Sequence, residues 1–159
     1  MSEEIRQWDS YSFREVTRDS QRRKVYKAEW AFRNENHEPG MAPDVLRTFL
    51  RSVVEDYWFR ERFGKVRFNI IINWQRKTTA CCSYNRLKQE FTLGFPAGNG
   101  VLMTRMVALH ELAHIVTHRQ LHGPIFCSVF LHLVIRYMGE TLGKELLKWF
   151  KIKQVELCV

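Results

Sequence analysis

Residues 110–114 read His110-Glu111-Leu112-Ala113-His114, an H-E-x-x-H pentapeptide inside the apolar run 101–116. That run has no proline or glycine and is long enough for a helix. In a helix, side chains four apart lie one above the other on one face, so His110 and His114 converge on a single point. Two neutral imidazoles at that spacing supply two of the three protein ligands of a catalytic zinc and leave the fourth position for water. Glu111 lies beside the same face, within reach of that water as a general base. The pentapeptide also arises by chance, and a histidine on an apolar face is more often a hydrogen-bonded core residue than a ligand. Its surroundings favour a metal. Two imidazoles and a carboxylate in an apolar helix are costly to bury uncompensated, and one divalent cation compensates all three.

Composition bounds the rest. The 159 residues fit one domain with its own core, and the 45% hydrophobic and 26% charged content is ordinary for a globular protein. The opening MSEEIRQWDSYSFRE has no apolar secretory core, and no uncharged apolar run of bilayer length occurs, so a cytoplasmic protein without a membrane partner is expected. Cys81, Cys82, Cys127 and Cys158 form no CxxC pair and read as structural or incidental thiols. The net charge of +8 permits an acidic or nucleic-acid partner. Residues 1–40 contain eight basic and eight acidic side chains, however, so the excess is spread over the remainder and mostly suits solvated helix faces. Nothing in the sequence sets an oligomeric state.

Taken in order, residues 1–17 read as an irregular lead and residues 18–159 as a single domain. Asp19-Ser20 is a plausible N-cap for a helix whose stripe is Val25, Ala28 and Phe32, with Tyr26 and Trp30 nearby. His37 falls in the turn-rich segment 34–43 and reads as a surface residue. Pro43-Asp44 opens a second helix that carries Val45, Leu46, Phe49, Leu50, Val53, Val54, Tyr57 and Trp58 and ends near Gly64. The period then changes. VRFNIIINW, KTTACCSYN and EFTLGFP read as three strands, the last stopped by Pro96 and the AGNG loop. The motif helix is expected over 100–119. An apolar helix with Pro124 in its first turn follows, with His132 packed inside it, and an amphipathic helix begins after Gly139. The expected class is α+β, a small three-stranded sheet on the motif helix and its neighbours.

Three residues compete to be the third ligand. His118 continues the i, i+4 series but lies roughly 12 Å along the helix from His110, two turns too far to share an ion unless the helix ends early. Thr117 and Gln120 exclude the HExxHxxGxxH pattern, and Glu140 would serve only in a different arrangement. His122 directly precedes Gly123-Pro124, a pair that permits unusual dihedrals and then forbids a continuing helix. A chain reversal there would carry His122 back over the motif face. It ranks first.

HELAH followed by HGP-x-F resembles the SprT-like metallopeptidase group. The chain is more similar still to uncharacterised metallohydrolases within or beside that group, through RDSQRRKVYKAE (residues 18–29) and FLHLVIRYMGE (residues 130–140). The likeness covers the first helix and residues 107–150. It implies a zincin-like domain with one zinc per chain, held by His110, His114 and His122, and Glu111 as catalytic base. Longer members add a cysteine-based ribbon or a DNA-binding tail, and the absence of CxxC here weighs against DNA-linked proteolysis. The expected function is a zinc-dependent metallohydrolase acting on protein or peptide. Strand EFTLGFP is the candidate edge for an extended peptide, with Tyr84, Tyr137 and His118 as possible oxyanion donors. The alternatives are a zinc hydrolase of a small amide or ester, expected to have a closed pocket, and a basic DNA-associated protein with a non-proteolytic metal site.

Overall fold

The computed structural model describes residues 17–73, 79–96 and 103–158. The expected irregular lead, residues 1–17, lies outside these apart from Thr17, as does the AGNG loop. Helix α1 (Arg22–Glu35) buries Val25, Ala28 and Phe32 as their spacing requires, and Glu29 with them. Its N-cap is Gln21, without a side-chain capping bond, so Asp19-Ser20 does not cap this helix. The segment expected as one helix to Gly64 is two: α2 (Pro43–Glu55) and α3 (Tyr57–Phe63). Asp56 separates them in an extended conformation (φ −61°, ψ 137°). Its carboxylate accepts a hydrogen bond from the Tyr137 hydroxyl at 2.8 Å, so tertiary structure overrides the local pattern. Leu46, Leu50 and Val53 are fully buried, whereas Val45 and Tyr57 from the same expected stripe are exposed. Gly64 does end the second helix, at φ +72°.

Strands β1 (Phe68–Asn73), β2 (Cys81–Asn85) and β3 (Glu90–Pro96) form a sheet of order β1-β3-β2. β2 and β3 make an antiparallel hairpin with Ser83 opposite Thr92, its turn closed by Leu87 and Lys88 N–H groups donating to the Asn85 side chain. β1 runs parallel to β3, with Ile70 opposite Leu93. EFTLGFP is therefore the central strand, and the expectation that it forms an edge is wrong. The reason is visible in its second half. Leu93, Gly94, Phe95 and Pro96 are buried in succession, as a strand covered on both faces must be, and among the described residues β1 and β2 are the edges.

The motif occupies α4 (Arg105–Val116), shorter than the expected 100–119. Thr104 caps it by accepting from the Val107 N–H at 3.3 Å. Nine of its twelve residues are buried, because α4 lies between β2 and β3 on one side and α2 and α5 (Pro124–Met138) on others. In α5 the run from Phe126 to Leu131 is buried. His132, expected to be packed inside, sits on its exposed side instead. Gly139 (φ +104°) turns the chain into α6 (Glu140–Ile152), which packs on α5 and α1. The class is α+β, as expected. No helix among the described residues is long and apolar enough to cross a membrane.

The α5–α6 contact is tight at Gly143, where an added Cβ would stand 2.2 Å from Ile135 Cγ1 and 3.3 Å from Ile135 Cα. Gly143→Ala should destabilise the fold by about 1–3 kcal/mol through overpacking. Urea unfolding monitored by circular dichroism measures it.

Candidate metal centre

Helix α4 stops at Val116, and the Thr117 hydroxyl donates to the Ala113 carbonyl at 2.7 Å. Two turns follow, Gln120 N–H to Thr117 O at 3.0 Å and Gly123 N–H to Gln120 O at 2.9 Å. The reversal they make needs left-handed backbone at two non-glycine residues, Arg119 (φ 70°) and Leu121 (φ 51°). Gly123 has φ −66° and ψ 175°, which any residue adopts, so the unusual dihedrals are not where the Gly-Pro pair suggested. The outcome is nonetheless the expected one. His122 Nε2 lies 3.3 Å from His110 Nε2, and His114 Nε2 lies 3.2 Å from it. The three donor atoms fall within 4.8 Å of one another. Nitrogens about 2.0–2.1 Å from a tetrahedral ion stand about 3.3 Å apart, so the cluster fits one metal. His118 follows the helix end and packs its ring 4.5 Å from Tyr84 and 5.1 Å from Phe91, at the rim.

Two carboxylates orient these rings. His110 Nδ1 meets Glu29 Oε1 at 2.5 Å, and His122 Nδ1 meets Asp19 Oδ2 at 2.8 Å, with Asp19 Oδ1 accepting the His122 backbone N–H at 3.3 Å. An imidazole that donates through Nδ1 turns the Nε2 lone pair outward to a metal, and the carboxylate makes that lone pair more basic. The buried Gln21 side chain adds a clamp, donating to the His122 carbonyl at 3.2 Å and to the Glu156 carbonyl at 3.2 Å. All three residues lie in α1 or just before it. Their roles were missed in the sequence, although Glu29 carried a signal: it follows Val25 by four positions, a carboxylate on an apolar stripe. Asp19 carried none beyond its match to the resemblance segment.

Protonation suits metal binding. Burial, reinforced by the neighbouring His110 and His122, pushes His114 down to about 2. Burial and then His110 lower His122 against the opposing pull of Asp19. Burial also acts to lower His110, but the charge and hydrogen bond of Glu29 outweigh it and the net shift is upward. At neutral pH two of the three ligands are thus neutral, and any proton the cluster holds sits on His110.

The triad opens into a cleft of about 500 Å³ lined by Glu111 and His114 on α4, Tyr26 on α1, and Cys82, Ser83 and Tyr84 on β2. Glu111 is buried in its wall. Cys82 is pushed up to about 12, by burial first and then by the Glu111 charge, so it stays a thiol. Of the candidate oxyanion donors, Tyr84 and His118 line the cleft, whereas Tyr137 is engaged with Asp56. Tyr26 was not singled out from the sequence for this role, yet its ring lies 5.8 Å from that of His110 and 5.1 Å from that of His122. Glu140 is exposed and paired with Lys144 at 2.7 Å, away from the cluster.

No family model, curated protein or solved structure matches the chain. The resemblance drawn from HELAH and HGP-x-F therefore stands on those motifs alone.

Metal analysis of the purified protein should give about one zinc per chain, lost in His122→Ala and kept in His118→Ala. Asp19→Asn and Glu29→Gln should each weaken zinc affinity by about 10–100-fold, read by competition with a chromophoric chelator. Because His110 is the one histidine of the cluster whose proton affinity is raised, zinc binding at pH 7 should release no more than about one histidine proton per site. Calorimetry in buffers of different ionisation enthalpy counts it, and release of two or more would contradict this protonation pattern.

Proposed function

We propose that the chain is a zinc-dependent metallohydrolase, a peptidase of SprT-like, zincin type. The observation that carries the reading is the convergence of three imidazole nitrogens within 4.8 Å of one another, two of them 3.2 and 3.3 Å from His110 Nε2, at an open cleft that Glu111 also lines. His110, His114 and His122 would hold the ion. The donor set supports zinc, since three imidazoles with no thiolate and one open position suit a catalytic site. Bound zinc supplies a water of lowered pKa and a Lewis acid for the scissile carbonyl.

The protein's own part is then proton handling and alignment. Glu111 accepts one proton from the attacking water as its oxygen bonds to the carbonyl carbon. It returns that proton to the leaving nitrogen as the C–N bond breaks, so the products are one amine and one carboxylic acid, which ionises by losing the water's second proton to solvent. Asp19 and Glu29 hold two ligand rings in place through these steps. A carboxylate beside the site is not needed to hold metal, which favours catalysis over a structural role.

Peptide is the favoured substrate because the cleft is open and one wall is β2, an edge strand able to pair with an extended chain. A small amide would be better enclosed. A nucleic-acid role finds less support: the cleft lined by Arg47, Arg51 and Arg67 runs along β1, at the opposite edge of the sheet from β2.

The test is hydrolysis of fluorescein-labelled casein by the zinc-loaded protein. Chelation should abolish it and zinc should restore it. Glu111→Gln should retain zinc while losing about 10²–10⁴-fold in rate. Equal rates for Glu111→Gln and wild type would defeat the reading.

A further inference from the structure

The cleft leaves open what stabilises negative charge on the substrate's carbonyl oxygen, and two tyrosines line it. Tyr84 stacks its ring on Phe91 at 4.7 Å and on His118 at 4.5 Å, which ties it to the rim. Tyr26 instead lies against two ligand rings, parallel to His110 within 15° and edge-on to His122. Tyr26 lines the cleft and is 43% exposed. The Arg22 guanidinium, one helical turn earlier and also lining the cleft, stands 5.7 Å from the ring centroid. That contact is with the ring face, and where the guanidinium also bonds the phenol oxygen it can only donate, which leaves the O–H hydrogen for another acceptor.

On the peptidase reading just given, we infer that Tyr26 is a catalytic residue that donates a hydrogen bond to the developing oxyanion, with Arg22 as a positioning residue. The water oxygen adds to the carbonyl carbon, and the carbonyl π pair moves onto oxygen. Tyr26 donates to that oxygen and keeps its proton. When the C–N bond breaks the pair returns to re-form the carbonyl and the proton held by Glu111 leaves with the amine. The donor is useful only while charge is on the oxygen, so its removal lowers kcat more than it raises KM.

Tyr26→Phe removes the hydroxyl and keeps the ring against His110 and His122. Zinc stoichiometry, zinc affinity and Tm should stay at wild-type values. kcat on labelled casein should fall about 10²–10³-fold with KM within about threefold, the loss expected for one oxyanion donor. A second readout needs no turnover: calorimetric binding of a phosphonate peptide, whose tetrahedral anion stands in for the charged intermediate, should weaken at least tenfold in Tyr26→Phe. Arg22→Lys should lose less than Tyr26→Phe in both measurements. Wild-type kcat and phosphonate affinity in Tyr26→Phe would overturn the assignment while leaving the peptidase reading intact. Loss of zinc or of Tm in Tyr26→Phe would overturn it in favour of a structural role. A zinc-loaded wild type that neither cuts casein nor binds the phosphonate would overturn both.

Discussion

Three imidazole nitrogens held 3.2 and 3.3 Å apart within a largely apolar interior set the constraint to which the surrounding structure answers. Lone pairs so close repel unless a proton or a cation lies among them, and their rings must not rotate away. Two of the rings are fixed from behind, His110 by Glu29 and His122 by Asp19. The ring of His114 stacks on Phe126 at 4.3 Å, and Phe126 also meets His110 and His122 edge-on at 5.0 Å each. One phenylalanine on the first turn of α5 thus closes the far side of the cluster. The helix that follows the His122 loop is positioned by the three histidines, and they by it.

The burial of Glu29 shows what the rest of the fold gives up to keep this arrangement. A glutamate at 4% exposure on an otherwise apolar helix face is a liability by itself. Paired with His110 it becomes a means of aiming Nε2. The same logic explains the unsupported N-terminus of α1. Asp19 is well placed in sequence to cap it, but its two oxygens are spent on the backbone and ring of His122, and the helix begins at Gln21 without a capping bond. The left-handed backbone at Arg119 and Leu121 is a third local cost at the same place.

Those costs explain which parts were legible in the sequence. The class, the three strands and the helices were readable because hydrophobic period and breakers act locally, as with Val25, Ala28 and Phe32 or with Pro124 at the start of α5. The convergence of His110, His114 and His122 was also readable, since helix pitch places two of them and excludes His118. Strand order was not: hairpin connectivity leaves the position of β1 open, and only the burial of residues 93–96 puts β3 in the middle. The break at Asp56 depends on Tyr137, 81 residues away, and no local signal reports it. Asp19 and Gln21 looked like the approach to a helix because their partners lie beyond residue 120.

Gln21 carries a further consequence. Its amide joins the carbonyl of His122, 101 residues on, to that of Glu156, 135 residues on, and its oxygen accepts the Glu156 N–H. This clamp on His122, added to its two bonds with Asp19, is complete only when residues 21, 122 and 156 have met. Contacts of that span form late, since their loop entropy is lost before they repay it. During synthesis, a ribosome-bound chain that has exposed HELAH but not residue 156 holds the motif without this clamp. The triad is thus held by parts of the chain more than a hundred residues apart, and residues 110–114 alone do not complete it.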